Sequence, residues 1–562
     1  MSCRAIVVAT LCPLALGLTL VAGPKEESGP GIYPFRFTDV GDAAGLFPHL
    51  AQIWGHGAGW GDVDGDGWLD LFVATFHVPG SKPSLFFRNR KGRFEPDAQS
   101  AVMISARGTG VVFADLDNDG DLDLYLGSMP KPKDHNVGCR LLRNDGQGKF
   151  TDVSDSCGAC PAEFGGRSVA VLDSDGDGLL DVLVGEDPFP GYNGSKTKRS
   201  RLFRNRGNLR FEDVTQAVGF PDIAPGLGVA AADVNNDGWP DVFLCSGAFN
   251  ALFLNDGRGR FTELPNSRSL FAYDDAGKAG GDNMVCGVCF GDLNRDGLLD
   301  LALGQHFSAP WRSPVPNKLY LNRGIPNGIP TFEEVSSQAG LRPLAMKSPH
   351  VEFQDFDNDG WPDIYFSTVK FKDGKPYPVI FHHQGEVREG VPRFRDDAWT
   401  VNDFPTAEDQ AITRSGAMFE KIKREGKVIY MAPGPTADFD NDGRMDMFLP
   451  NWWPELRSLL LRNETPGGNW LRVQVEGGNG INRMGVGSRI QIYRAGQLGQ
   501  PTALLGCREI AIGYGYASGQ PAYAHFGLGK EARVDVEVIL PHRRGTLTRT
   551  GVAANQVLTI KP

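Results

Sequence analysis

Beyond its first 23 residues the sequence has no apolar run approaching 18 residues, so no later segment is long enough to cross a membrane as a helix. Long stretches of 3.6-residue periodicity are scarce too; the best helix candidate is 406–423, which argues against a helical bundle or helical repeat. A nucleophile elbow, a zincin helix, a Walker loop and a dinucleotide fingerprint are all missing, which removes the commonest signatures of hydrolase, protease, nucleotidase and dehydrogenase chemistry. No basic patch with interleaved aromatics stands out, so nucleic acid is not an expected partner. Cysteines number nine, two of them (Cys3 and Cys12) inside the N-terminal apolar stretch. The remaining seven are odd in number, so at least one thiol is free or bonds another chain. Cys157 and Cys160, like Cys286 and Cys289, have CxxC spacing, but no βαβ pattern surrounds either pair. Cys139, Cys157 and Cys160 are close enough in sequence for a disulfide to form among them after export.

Present instead are 72 Gly and 38 Pro, above average usage, with 41% hydrophobic and 22% charged residues. That composition favours an all-β chain rich in tight turns. Residues 1–23 carry Arg4 followed by an apolar run and then PKEESGP, the layout of an export signal. The expected product is a soluble protein, secreted or periplasmic.

One unit dominates the remainder. The nonapeptide DxDxDGxxD, or its variant with Asn at the third position, begins at Asp62, Asp115, Asp173, Asp233, Asp292, Asp355 and Asp438, at intervals of 53, 58, 60, 59, 63 and 83 residues. Each loop leads into a short apolar run such as LDLFVA, LDVLVG or PDVFLC, and most units add a second hairpin with an Asn and Gly turn, as in LFLNDGRGRF from Leu252. Two hairpins per period make four strands, which predicts a β-propeller of seven blades over 34–465. The segment FTDVGDAAGL at 37–46 matches the outer strands FTDVSDSCGA, FEDVTQAVGF and FEEVSSQAGL of other units, while the seventh unit lacks one. An early spare strand and a last blade one strand short predict ring closure by the chain ends.

The chemistry lies in the loops. Carboxylates at positions 1, 3 and 5 of a tight turn converge on a point, and a fourth at position 9 on the next strand closes the shell. Hard oxygen donors in that number suit Ca2+ better than Mg2+ or Zn2+. The expected ligands are Asp62, Asp64, Asp66 and Asp70; Asp115, Asp117, Asp119 and Asp123; Asp173, Asp175, Asp177 and Asp181; and Asp233, Asn235, Asp237 and Asp241. The set continues with Asp292, Asn294, Asp296 and Asp300; Asp355, Asp357, Asp359 and Asp363; and Asp438, Asp440, Asp442 and Asp446. Loops four and five, with one carboxylate fewer, should bind more weakly. Seven divalent ions would turn the formal charge of -11 into +3, so the acidity is largely a metal requirement. One ion per blade points to a structural calcium.

The loops with their GD(V/L) approach and LDL(F/Y/V) exit resemble the FG-GAP repeats, VCBS type, of integrin-like propellers. That resemblance implies calcium at the matching Asp and Asn positions. From residue 467 to 562 the character changes to period-2 strands and Gly-rich turns, and NWLRVQVEGGNGINRMGVGSRIQIY, HFGLG and VDVEVILP resemble an ASPIC/UnbV domain. Together the two resemble the cartilage acidic protein 1 family. Vertebrate members add a cysteine-rich EGF-like module not seen here, so their partners are not carried over.

The functional expectation is a secreted calcium-binding propeller that acts as an extracellular binding or adhesion module for a protein or glycan. The alternative is a calcium-dependent polysaccharide lyase or hydrolase with its site at the propeller channel. Polar residues near strand ends, namely His56, His77, Glu186, His306, His350, His382 and His383, form no recognised catalytic constellation in the sequence. His382 and His383 stand where other units have the Asn of the turn, and EKIKRE near the helix candidate reads as a solvated face. Sequons occur at Asn193 and Asn463.

Overall fold

The computed structural model describes residues 33–131, 135–186, 200–221, 226–245, 249–273, 284–307, 315–344, 347–372, 375–396, 434–517 and 519–562. The export signal, the helix candidate at 406–423, EKIKRE and the Asn193 sequon lie outside these residues.

Seven antiparallel four-stranded sheets account for residues 37–463. Blade 1 is built from Gly55–Gly61, Asp70–Thr75, Leu85–Asn89 and Phe94–Pro96, and blades 2 to 6 repeat that order. In blade 7, Thr436–Ala437, Asp446–Leu449 and Leu459–Asn463 are completed by Phe37–Asp39, with Phe37 opposite Asn463. The spare N-terminal strand thus closes the ring. Blade 7 meets blade 1 through Gly55 N to Asn451 O at 2.8 Å and Trp60 Nε1 to Pro435 O at 3.0 Å.

After its leading Asp, each second strand runs through at least three consecutive apolar residues, because both of its faces are covered by other blades. In blade 4 the side chains alternate: Val242 and Leu244 pack with Leu183 and Leu202 of blade 3, whereas Phe243 and Cys245 pack with Leu301 and Tyr320 of blade 5. All four are fully buried. Burial of each large apolar side chain contributes about 1.5–3 kcal/mol.

A sequence-invisible device links the blades. At the end of each third strand an Asn side chain reaches the carbonyl at loop position 2 of the neighbouring blade: Asn89 to Phe439 O, Asn144 to Val63 O, Asn205 to Leu116 O, Asn255 to Ser174 O, Asn322 to Val234 O and Asn463 to Phe356 O, at 2.7–3.0 Å. In blade 6 the residue is His383, whose Nε2 lies 3.2 Å from Leu293 O. Seven staples therefore run once around the ring. They also bury Asn463, whose amide nitrogen donates to Phe356 and Met445, so its sequon is closed to glycosylation.

The C-terminal residues form two further sheets. One has Asn469–Val475 between Ala524–Gly529 and, in parallel, Gln556–Ile560; the other orders Leu504–Glu509, Arg489–Arg494, Arg533–Ile539 and Thr546–Ala553. All seven described cysteines are free thiols, so the disulfide allowed among Cys139, Cys157 and Cys160 is not formed. Cys160 hydrogen-bonds Cys157 and brings its thiol down to about 7.

Candidate metal-binding loops and the docked C-terminal domain

Each acidic loop joins the first and second strands of a blade and is organised by its own backbone. Asp62 accepts from Asp66 N at 3.0 Å and Gly67 N at 2.9 Å, and Asp66 accepts from Trp68 N at 2.9 Å. The turn requires a left-handed residue at position 4, which is Gly65, Asn118, Gly176, Asn236, Arg295, Asn358 and Asn441 in the seven loops. Gly and Asn enter that conformation at low cost; Arg295 does so against its preference.

The position-9 aspartate is held by two backbone N–H groups. Asp70 accepts from Val63 N of its own loop at 3.3 Å and from Asn89 N of the third strand at 2.7 Å. The same pair of bonds recurs at Asp123, Asp181, Asp241, Asp300, Asp363 and Asp446. These seven side chains therefore tie loop to sheet and are themselves buried.

Burial without enough positive charge raises their carboxyls: Asp70 and Asp181 to about 7, Asp123 to about 8, and Asp241, Asp300, Asp363 and Asp446 well above the usual range. At position 1, burial likewise lifts Asp115 to about 6, Asp173 to about 8, and Asp292 and Asp438 to about 7. Carboxylate oxygens converge within 4.8 Å of one another in Asp62, Asp64 and Asp66, in Asp115, Asp117 and Asp119, in Asp173, Asp175 and Asp177, and in Asp355, Asp357 and Asp363.

Oδ1 of Asp64, Asp115, Asp117 and Asp175 in these groups, and Oδ1 of Asp440 in loop 7, are buried with no hydrogen-bond partner among the described residues. A buried oxygen with no donor costs about 1–3 kcal/mol, more when ionised, and a hard cation satisfies several at once. The donor set therefore fits a calcium-type ion. In loops 4 and 5 the amide of Asn235 donates to Asp237 at 3.2 Å and that of Asn294 to Asp296 at 2.9 Å, so those loops partly satisfy themselves.

Protein side chains that can donate hydrogen bonds also reach the loops. Arg90 Nη1 is 3.0 Å from both Asp64 and Asp66, Arg204 Nε is 3.2 Å from Asp175, and His382 Nε2 is 3.2 Å from Asp357. Others come from the C-terminal domain, which sits on the loop-bearing face. Arg472 Nη1 is 3.6 Å from Asp438, Arg489 Nη2 is 3.5 Å from Asp233, and His542 Nδ1 is 3.5 Å from Asp173. Hydrogen bonds from that domain meet loops 2, 3, 4, 6 and 7, among them Arg483 N to Asn118, Arg544 to Gly176 O, His542 N to Gly238 O, Gly529 N to Asn358 O and His525 to Gly443 O.

From the same domain, residues 510–517 and 519–520 enter the channel lined by the innermost strands. Val171 N donates to Ile512 O, Gly515 N to Val229 O, Tyr516 N to Cys286 O and Trp60 N to Gly519 O, so blades 1, 3, 4 and 5 grip it through backbone. Gln520 reaches Glu352 of blade 6 at 3.1 Å. Close approach explains the glycines: a Cβ on Gly513 would lie 2.2 Å from Val169 O, and Gly515 has φ of 81°.

An FG-GAP-like repeat model matches residues 37–126, 192–244 and 233–303, and an ASPIC and UnbV model matches 478–562. Cartilage acidic protein 1 of Xenopus tropicalis is 24% identical over 523 residues, covering 89% of this chain and 72% of its own length. The Homo sapiens protein is 24% identical over 524 residues, covering 89% and 70%. This chain is a cartilage acidic protein 1 homologue. The homology spans both the ring and the C-terminal domain. Among solved structures, an Agrocybe aegerita lectin that recognises non-reducing terminal N-acetylglucosamine aligns with 73% of this chain and 94% of its own, at 15% identity and a TM-score of 0.37. No helix among the described residues of this homologue is long and apolar enough to cross a membrane.

Of the strand-end candidates, His382 and His383 serve loop 6 and the blade 6 staple. His77 bonds Asn136 at 2.9 Å, and His350 pairs with Glu352 at 2.6 Å inside the channel.

Proposed function

We propose that this homologue works outside the cell as a binding module for a protein or glycan, held in shape by one Ca2+ per blade. The observation that carries the metal reading is the buried carboxylate oxygen, with no partner among the described residues, at position 3 of the loops of four successive blades, 7, 1, 2 and 3. The loops lie between strands of every blade instead of around one pocket, which supports a structural role for the ion. Asp at positions 1, 3, 5 and 9, with Asn235 and Asn294 at the third positions of loops 4 and 5, would hold it. When bound, the ion supplies charge neutralisation and fixes the loop oxygens on which the C-terminal domain rests. Extracellular calcium modules bind at about 0.1–1 mM, which agrees with the export signal in the sequence.

The lyase or hydrolase alternative loses ground because residues 510–517 and 519–520 occupy the channel from the loop face. Equilibrium dialysis with Ca2+, followed by screening of the calcium-loaded protein on glycan and matrix-protein arrays, tests the proposal. Calcium uptake with saturable, turnover-free binding supports it. Calcium-free protein with unchanged folding, or cleavage of a glycan, overturns it.

A further inference from the structure

On each third strand, the residue just before the staple matches the loop beside it. It is Arg88, Arg143, Arg204 and Arg462 in blades 1, 2, 3 and 7, whose loops carry an aspartate at position 3: Asp64, Asp117, Asp175 and Asp440. It is Leu254 and Leu321 in blades 4 and 5, whose loops carry Asn235 and Asn294 there. Contacts explain the pairing. Arg88 donates to Asp64, Arg204 Nε lies 3.2 Å from Asp175, and Arg143 and Arg462 act electrostatically on Asp117 and Asp440. A carboxylate at position 3 comes with a fixed cation from the sheet, whereas an amide needs none and comes with an apolar residue.

Blade 6 departs from this rule. Its loop keeps a carboxylate at position 3, Asp357, but the third strand supplies His382. A guanidinium can only donate hydrogen bonds, whereas an imidazole nitrogen is also a metal ligand. His382 Nε2 lies 3.2 Å from Asp357 Oδ2. One oxygen each of Asp357 and Asp359 and one nitrogen of His382 lie within 4.8 Å of one another. Asp359 Oδ1 accepts from Trp361 N at 2.8 Å, and its Oδ2 accepts no hydrogen bond among the described residues. Arg295 of loop 5 spends its guanidinium on Gly360 O at 2.6 Å and on the face of Trp361 at 3.4 Å.

The imidazole is held for the task. Phe35 meets it edge-on at 5.2 Å, and the Gln384 amide lies 3.5 Å from Nδ1, on the side away from the loop. That amide, turned over, accepts from an Nδ1–H, the support a metal-bound imidazole needs. Asp355, Asp357 and Asp363 also converge, so loop 6 presents an all-oxygen group and a mixed nitrogen-oxygen group that share Asp357. His382 and Asp357 are half-buried and Asp359 is exposed, so an ion can enter from solvent. All-oxygen groups suit calcium, while an imidazole among carboxylates suits zinc and its neighbours in the transition series.

We infer that loop 6 is a transition-metal site, in which His382, Asp357 and Asp359 select a dication such as Zn2+ over Ca2+. The inference rests on the reading of the acidic loops as metal sites and names a different ion for one of them. Equilibrium dialysis of the full-length, tag-free protein against micromolar Zn2+ in millimolar Ca2+ tests it, with both metals counted by mass spectrometry and the zinc shell read by X-ray absorption. Expected are about one zinc per chain, an imidazole in its shell, and a fall of about tenfold or more in zinc affinity in His382→Arg. That variant restores the residue of four other blades and should keep its melting temperature and its calcium. Should it misfold, Asp359→Asn, at an exposed position, should show the same loss of zinc. Calcium bound without zinc, zinc undiminished in the folded variant, or a shell of sulfur in place of imidazole overturns the inference and leaves the calcium loops standing. Binding of neither metal would remove both readings.

Discussion

Tyr516 of the C-terminal domain donates its hydroxyl hydrogen to Nε2 of His56 in blade 1 at 2.7 Å, across 460 residues of chain and through the middle of the ring. Propeller and C-terminal domain therefore share one buried polar network. Removing the hydroxyl in Tyr516→Phe leaves His56 and Arg167 short of a partner and should cost about 1–3 kcal/mol, read by chemical denaturation. Unchanged stability would mean the contact carries nothing.

Gly515→Ala tests insertion of the segment more severely. Its backbone is left-handed, and the added carbon would sit 2.5 Å from Val288 N and 2.7 Å from Cys286 O. The wild type should unfold in one calorimetric transition, and the variant in two, as the C-terminal domain undocks before the ring melts.

Acid should loosen the same interface at a second point. His525 donates to Gly443 O of loop 7, and burial first, with Arg508 and Arg472 adding to it, depresses its imidazole to about 3. The unfolded chain takes up a proton near pH 6.5 that the folded chain refuses. Stability is thus unaffected above that pH and falls as the pH drops from about 6.5 toward 3, by up to about 1.4 kcal/mol per unit from this group. In calcium buffer, His525→Asn should remove about one proton from the pH slope of the unfolding free energy.

The staples give a comparative test. Asn144→Ala frees Val63 O and Leu122 O inside the protein and should destabilise by about 1–3 kcal/mol. His383→Asn, which restores the residue of the other six blades, should retain more stability than His383→Ala. The reverse order would show that His383 acts through its stacking on Trp361, 4.5 Å away.

Much of this architecture was legible in the sequence because repetition amplified it. Asp at positions 1, 3, 5 and 9 marked seven loops, and the spare segment at 37–46 announced the closing strand. The backbone-bonding role of the position-9 aspartates was hidden, since a carboxylate that receives two backbone N–H groups looks the same in sequence as one that faces an ion. His383 read as a lost turn residue because the staple depends on what the side chain reaches, not on its identity. Docking was least visible: Arg472, Arg489 and His542 resemble ordinary surface charges until the second partner is placed. A signal was available in IAIGYGYA, an apolar, Gly- and Tyr-rich stretch at 510–517 that is ill suited to water and now lies in the channel.

The central claim, one structural Ca2+ per blade, is tested most directly by calorimetric melting of the full chain in calcium and in chelator, paired with a count of bound ions. The account predicts several ions per chain, approaching one per blade, and a clear fall in melting temperature on chelation, since each site with free calcium at about a hundred times its Kd adds about 2.7 kcal/mol. A chain that binds no calcium and melts at the same temperature in both buffers would contradict it.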